Sequence, residues 1–339
     1  MYPRAFICGL SGFSLSKQER RFLAKARPAG VALFKRNVED PEQLRRLTNE
    51  IRDTASANGR TLILVDQEGG RVQRLSGPHW RLYPAARAFG QMYRVKGKEA
   101  LQTARLCAQM MASDLHSVGI NTACAPVLDV PVPGADNVIG DRAYADDPET
   151  VTLLGRAVAE GLLAGGVLPV MKHIPGHGRA MADSHLALPV VHTPLAELKM
   201  ADFAPFRALH WLPMAMTAHV TFTAIDPSVP ITISKRAIDA VIRGEIGFTG
   251  LLMSDDLSMG ALTGSLDERA RACLEAGCDL ALHCNGNMRE MEEVAGASPV
   301  LEGPALDRFE AALAQLKAPT PFDAHRAELA RTETLAAIA

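Results

Sequence analysis

The sequence predicts an α/β protein, a single closed (β/α)8 barrel of the TIM type, and three observations carry that expectation. Eight short apolar runs rich in β-branched residues recur along the chain, at 5–8, 30–34, 61–65, 121–127, 167–171, 214–220, 250–254 and 279–283. Between them lie stretches whose apolar residues fall alternately three and four apart, the period of a helix with one buried face. The glycine fingerprint that would mark a doubly wound open sheet is absent after the first run. With 339 residues, 47% of them hydrophobic, the chain can bury roughly 75% of its unfolded surface. No linker, low-complexity stretch or further repeat divides it, so residues 1–339 read as one barrel domain.

The elements follow in order. Residues 1–12 carry only Arg4 before a short apolar run ending at Gly9; a secretory signal needs a longer apolar region, so this is the first strand. Three helices open on the same device, a capping residue followed by proline at the first helical position: Asp40-Pro41, Asp147-Pro148 and Thr193-Pro194. Leu44, Leu47 and Ile51 give one buried face; Leu101, Ala104, Ala108, Met111, Leu115 and Val118 give a second; Val151, Leu154, Val158 and Leu162 a third. Gly59, Gly119, Gly165-Gly166, Gly244 and Gly277 stand where helices should stop. Two details fit less easily. Pro169 interrupts a strand that ought to be buried, and residues 265–277 make a short connection. From Pro304 onward the pattern is that of one or two closing helices.

Composition excludes several functions. Thirty-six basic against 38 acidic residues give a formal net charge of −2, which offers nucleic acid no diffuse attraction. No apolar stretch approaches the ~20 residues of a membrane span. Cys8, Cys107, Cys124, Cys273, Cys278 and Cys284 are scattered without metal or disulfide spacing, as expected of buried thiols in a reducing cytoplasm. Neither metal nor cofactor is implied, and the near-neutral charge is that of a monomer.

In a parallel barrel the chemistry gathers at the C-terminal ends of the strands, and the unusual polar residues fall there. The third run is followed by Asp66, Glu68, Arg71 and Arg74 around a glycine pair; the fourth by Asp129 and a loop at 136–144 holding Arg142. The fifth runs into Lys172, His173, His177, Arg179, Asp183 and His185 within 14 residues. The sixth ends at His219, the seventh at Ser254-Asp255-Asp256, the eighth at His283. Three histidines, an aspartate and a lysine in one loop suit acid/base chemistry or metal ligation. Of the adjacent aspartates only one should face the barrel mouth; Asp255 is the catalytic candidate, and Asp256 is expected to face away and cap the next helix. These residues serve a glycosidase, with a carboxylate at the anomeric centre and a proton donor to the leaving oxygen. They also serve a metal-dependent amidohydrolase built on His173, His177, Asp183 and His185. A sugar-binding barrel without activity is a third reading.

Three segments add a resemblance. VDQEGGRVQRL at 65–75, KHIPGHG at 172–178 with DSH at 183–185, and SDDLSMGA at 254–261 resemble the signature motifs of glycoside hydrolase family 3. They are most similar to those of its bacterial cytosolic β-N-acetylhexosaminidases, which act in peptidoglycan recycling. The match covers nearly the whole chain in order and spacing. It departs mildly, at Ile174 where phenylalanine is common and at Pro169. The resemblance implies Asp255 as nucleophile, His185 as general acid/base with Asp183 as its partner, and Asp66, Arg74, Arg142, Lys172 and His173 as sugar-binding residues. It implies a retaining exo-β-N-acetylglucosaminidase acting on small carbohydrate fragments of peptidoglycan, with the length of members that lack a second α/β domain.

Overall fold

A computed structural model describes residues 2–55 and 60–336. Eight parallel strands close into a barrel: β1 (Arg4–Gly9), β2 (Pro28–Leu33), β3 (Leu62–Val65), β4 (Thr122–Ala123), β5 (Leu168–Ile174), β6 (Met214–Thr217), β7 (Leu251–Asp256) and β8 (Leu280–His283). Neighbours in sequence are neighbours in space, and β1 pairs with β8, Phe6 opposite Ala281, to complete the ring.

Strand periodicity sorts the core into two layers. Ile7, Leu62, Leu64, Val170, Met214, Met253 and Leu282 meet in one cluster inside the barrel. Phe6, Cys8, Ile63, Val65, Met171 and Leu252 belong to a second cluster, shared with the helices. Leu301, Phe309, Ala312 and Leu313 join the inner cluster from the chain's last third. The helix Gly303–Leu313 therefore plugs the N-terminal end of the barrel, and the C-terminal end stays open.

The helical faces are as the periodicity predicts: Leu44, Leu47 and Ile51 are buried in Pro41–Ala55, and Ala104, Ala108, Met111 and Leu115 in Lys98–Ser117. Asp147 caps Pro148–Ala164 by accepting from the Thr150 N–H, and Asp40 accepts from Glu42 and Gln43 N–H. Residues 265–277 hold one complete helix, Leu266–Ala276, between a Ser265 capping box and left-handed Gly277 (φ 115°). The tail forms two helices, Gly303–Leu313 and Ala324–Ala336.

Four local expectations need correction or a reason. The fourth strand does not reach from 121 to 127: Pro126 has no N–H to donate, and pairing beyond Ala123 resumes only at a single bridge from Val127 to Lys172. Pro194 stays extended (ψ 144°) and precedes the helix Leu195–Met200 without a side-chain cap, so Thr193-Pro194 does not open it. Gly244 lies within a π-helix, Ile238–Glu245, and the left-handed turn falls at Gly247 (φ 74°). Pro169 is tolerated because Leu168 and Lys172 send their N–H groups toward the β4 side, whereas pairing with β6 starts only at Val170. Gly59 lies outside the described residues.

Candidate active site

The open end of the barrel holds a cavity of about 450 Å³. All eight residues singled out from the sequence line it: Asp66, Arg74, Arg142, Lys172, His173, Asp183, His185 and Asp255. Residues contributed by the ends of four strands, β3, β4, β5 and β7, thus converge on one space.

Its floor is an ion network. Lys172 leaves the buried strand β5 and places Nζ 2.9 Å from Asp66 Oδ1 and 2.7 Å from Glu68 Oε1. Arg74 pairs with the other Asp66 oxygen at 2.8 Å. Arg142 grips Glu68 with two bonds, Nε to Oε2 at 2.8 Å and Nη2 to Oε1 at 2.9 Å. Side-chain exposure is only 3% for Lys172 and 5% for Glu68, so each charge is kept by its ion partners in the network. Burial alone would raise the two carboxyls; the facing cations win and hold both below the usual carboxylate range, Asp66 far below it. The same carboxylates push Lys172 up against its burial. A hairpin, Gln67–Gly69 with Val72–Gln73, carries Glu68 to Lys172 and Arg142 and returns Arg74 to Asp66. Its turn needs glycine, since a Cβ on Gly69 (φ 93°) would meet the Pro84 carbonyl at 2.1 Å.

A second group hangs from Asp129, which is wholly buried. Its Oδ2 lies 2.7 Å from His173 Nδ1, and its Oδ1 accepts from the backbone N–H of His173 (3.2 Å) and His177 (2.7 Å). A carboxylate only accepts, so His173 carries its proton on Nδ1 and turns Nε2 toward the cavity. These bonds and His173 keep Asp129 ionised despite burial.

Asp255 is the penultimate residue of β7 and is half-buried. Burial raises its carboxyl, but His173, His219, the Asp256 N–H at 2.8 Å and Lys172 leave it below its ordinary value, and so ionised at neutral pH. His219, buried at the end of β6, donates from Nε2 to the Asp256 carbonyl at 3.0 Å and meets Thr232 Oγ1 at 2.7 Å through Nδ1. Asp256 departs from expectation. A shift in strand register between Met253 and Asp256 breaks the alternation, and both aspartates reach the cavity rim. The Asp256 carboxylate is taken up by Ser258 N and Oγ and by Cys284 N, which organises a turn and caps no helix.

The same cavity is lined by the pair Asp183–His185. Asp183 Oδ1 accepts from the His185 backbone N–H (2.9 Å) and lies 2.7 Å from its Nδ1. His185 is 61% exposed and keeps Nε2 for whatever enters the cavity. Contact with His185 holds Asp183 below its ordinary value although burial opposes this.

The four residues of the metal-site alternative do not converge. His173 is engaged by Asp129, His177 by Ser184 and His185 by Asp183. Among the described residues no three His, Cys, Asp or Glu side chains are grouped to hold a metal. Sequence reasoning placed Glu68, Asp129 and His219 at strand ends but gave them no role. Each is a partner of a partner, and that relation is visible only in three dimensions.

Residues 8–315 match the family model described as Glycosyl hydrolase family 3 N terminal domain. The chain belongs to glycoside hydrolase family 3. As a family 3 enzyme it is a glycoside hydrolase, which sets aside both the amidohydrolase and the inactive barrel. It is 45% identical over 281 residues to a beta-hexosaminidase of Alkalilimnicola ehrlichii, covering 82% of this chain and 79% of the relative. A beta-hexosaminidase of Aromatoleum aromaticum is 36% identical, with 92% and 88% covered. Among solved structures, NagZ from Neisseria gonorrhoeae in complex with N-trifluoroacetyl-D-glucosamine superposes with a TM-score of 0.85 at 32% identity, over 99% of this chain and 96% of that one. The (β/α)8 barrel is therefore the family 3 barrel. No helix in the described residues is long and apolar enough to cross a membrane.

Proposed function

We propose that this family 3 hydrolase is a retaining exo-β-N-acetylglucosaminidase. In this reading it removes terminal non-reducing N-acetylglucosamine from peptidoglycan fragments, GlcNAc-1,6-anhydroMurNAc with or without peptide, as one monomeric barrel in the cytoplasm. The observation that carries the reading is an ionised Asp255 and a free imidazole edge on His185 facing one cavity. The gonococcal neighbour's complex with an N-acylated glucosamine supports the choice of sugar.

Asp255 attacks the anomeric carbon as the glycosidic C–O bond breaks, and His185 delivers its proton to the leaving oxygen. The imidazole then takes a proton from water, the water oxygen attacks the same carbon, and Asp255 leaves as carboxylate. Asp183 holds His185 in the tautomer and orientation this exchange needs. Asp66, Arg74, Arg142, Lys172 and His173 bind sugar hydroxyls and the acetamido group. Asp256 is unavailable for the substrate-assisted alternative, because Ser258 and Cys284 already occupy its oxygens.

Proton NMR of the first-formed sugar tests the mechanism on an aryl β-N-acetylglucosaminide and on the anhydromuramyl disaccharide. An initial β-anomer is expected from both. An initial α-anomer would end the covalent mechanism, and no turnover of the disaccharide would end the substrate assignment.

A further inference from the structure

The segment that carries Asp183 and His185 is seated by its middle residue. Asp183, Ser184 and His185 all border the cavity, as does His177, but Ser184 is only 3% exposed and is the one of the three pressed into the protein like a peg. Ser184 Oγ lies 3.0 Å from Nε2 of His177, whose ring is buried and whose own backbone N–H is fixed by Asp129. The other His177 nitrogen, Nδ1, is buried with no partner. A histidine is a poor choice for that place unless the Ser184 contact matters.

The peg is held from a second side by the loop that follows the nucleophile strand. Ala261 N–H donates to the Ser184 carbonyl at 3.2 Å, and Gly260 N–H donates to the His185 carbonyl at 3.1 Å. This approach requires glycine at 260, since a Cβ there would stand 2.9 Å from the His185 carbonyl oxygen and 3.0 Å from that of Leu186. Beyond these bonds the segment is loosely covered, and Leu186 is 82% exposed.

We propose that His177 and the Gly260 and Ala261 amides form a latch that sets the position of the His185 imidazole relative to Asp255. These are positioning residues; none of them touches the reacting atoms. The latch makes the distance between nucleophile and acid a property of the 254–261 loop, which carries Asp255 at one end and the dyad's dock at the other. The inference rests on the assignment of His185 as general acid, and its test separates the two.

The experiment compares a 4-nitrophenyl with a methyl β-N-acetylglucosaminide, and follows amide hydrogen exchange at Gly260 and Ala261. His185→Ala should lose about 10²–10⁴-fold more on the methyl glycoside, whose departure needs the proton. Ser184→Ala, His177→Phe and Gly260→Ala should repeat that selectivity in smaller measure, about 10-fold to 10²-fold, as expected of a misplaced catalytic group. Their KM for the nitrophenyl substrate should stay near the wild-type value. Exchange at Gly260 and Ala261 should accelerate in Ser184→Ala. His177→Gln, whose amide reaches the Nε2 position, should restore both readouts. If His185→Ala is selective but Ser184→Ala is not, the latch is wrong and the acid assignment stands. If His185→Ala shows no selectivity, the acid assignment is wrong. Unchanged exchange in Ser184→Ala overturns the latch in either case.

Discussion

Asp255 and Glu68 are both carboxylates lining the cavity, and their replacement should fail in different ways. Asp255→Ala should abolish turnover of good and poor leaving groups alike, since no covalent intermediate can form, while leaving the fold intact. Residual activity that restores leaving-group dependence would contradict its role. Glu68 touches Lys172 at 2.7 Å and is clasped by Arg142. Its removal leaves the largely buried Arg142 guanidinium without its carboxylate and Lys172 with Asp66 alone, a defect of about 3–5 kcal/mol by analogy with broken buried ion pairs. Glu68→Ala should therefore show a lower urea midpoint and a raised KM together, whereas Asp255→Ala should change neither so much. The contrast also explains what the sequence could disclose. Asp255 announces itself by ending an apolar run in a distinctive motif. Glu68 sits one residue from Asp66-Gln67 in a motif already noticed, but its partners Lys172 and Arg142 are far away in the chain. No periodicity reports which distant cation a carboxylate will meet.

At the scale of elements, strands and helices were legible because their periods repeat over many residues and each repeat buries a side chain. Exceptions arise where one residue overrides the period. Pro126 stops β4 after two residues, and the shifted register near Asp256 turns an expected outward side chain inward. Loops between elements are set by close backbone approaches that leave little trace in composition. Gly178 is a case: a Cβ there would lie 2.0 Å from the Val130 carbonyl oxygen, where the β5 loop crosses the β4 loop. The neighbouring bonds from Val132 N to Gly178 O and from Asp136 N to Ala180 O keep the two loops in register. Gly178→Ala must push them apart, so kcat/KM should fall by about 10²-fold, the usual effect of a displacement near 1 Å. Thermal stability should fall less, because the barrel core lies below the crossing. Wild-type kinetics in Gly178→Ala would show that the loops yield without moving the site.

For the whole molecule, two buried groups oppose each other in the response to acid. Burial, with His173 beside it, pushes His177 from 6.5 down to about 4. Between those values the unfolded chain binds the proton and the folded one does not, so stability falls as pH drops through this window. Burial pushes Asp202 the other way, from 3.8 up to about 6 against the pull of Arg179. There the folded chain binds the proton, and stability rises as pH falls from 6 toward 4. Each proton contributes about 1.4 kcal/mol per pH unit, so the two slopes largely cancel. His177→Gln should unmask a molecule that gains stability on acidification from pH 6 to 4, and Asp202→Asn one that loses it. Denaturant titrations at half-unit pH intervals would show the two slopes, and parallel curves for both variants would refute the assignment. Below pH 4 the depressed carboxyls of Asp66, Glu68 and Asp255 dominate. Their contribution disappears as they protonate, and both variants should then unfold with the wild type.

The ring closure between Phe6 and Ala281 has a consequence for biosynthesis. The first strand emerges from the ribosome with one edge destined for the second strand and the other for the last. At about 5–20 residues per second, that second edge waits roughly tens of seconds for its partner. Over this interval the growing sheet is an open arc with two bare margins, each a template for a neighbouring nascent chain. The inner face of the arc, carrying Ile7, Leu62 and Val170, is exposed as well until the segment around Leu301 and Phe309 arrives to plug it. A chain stopped before residue 280 should therefore associate with others of its kind, because its β1 edge is still unpaired.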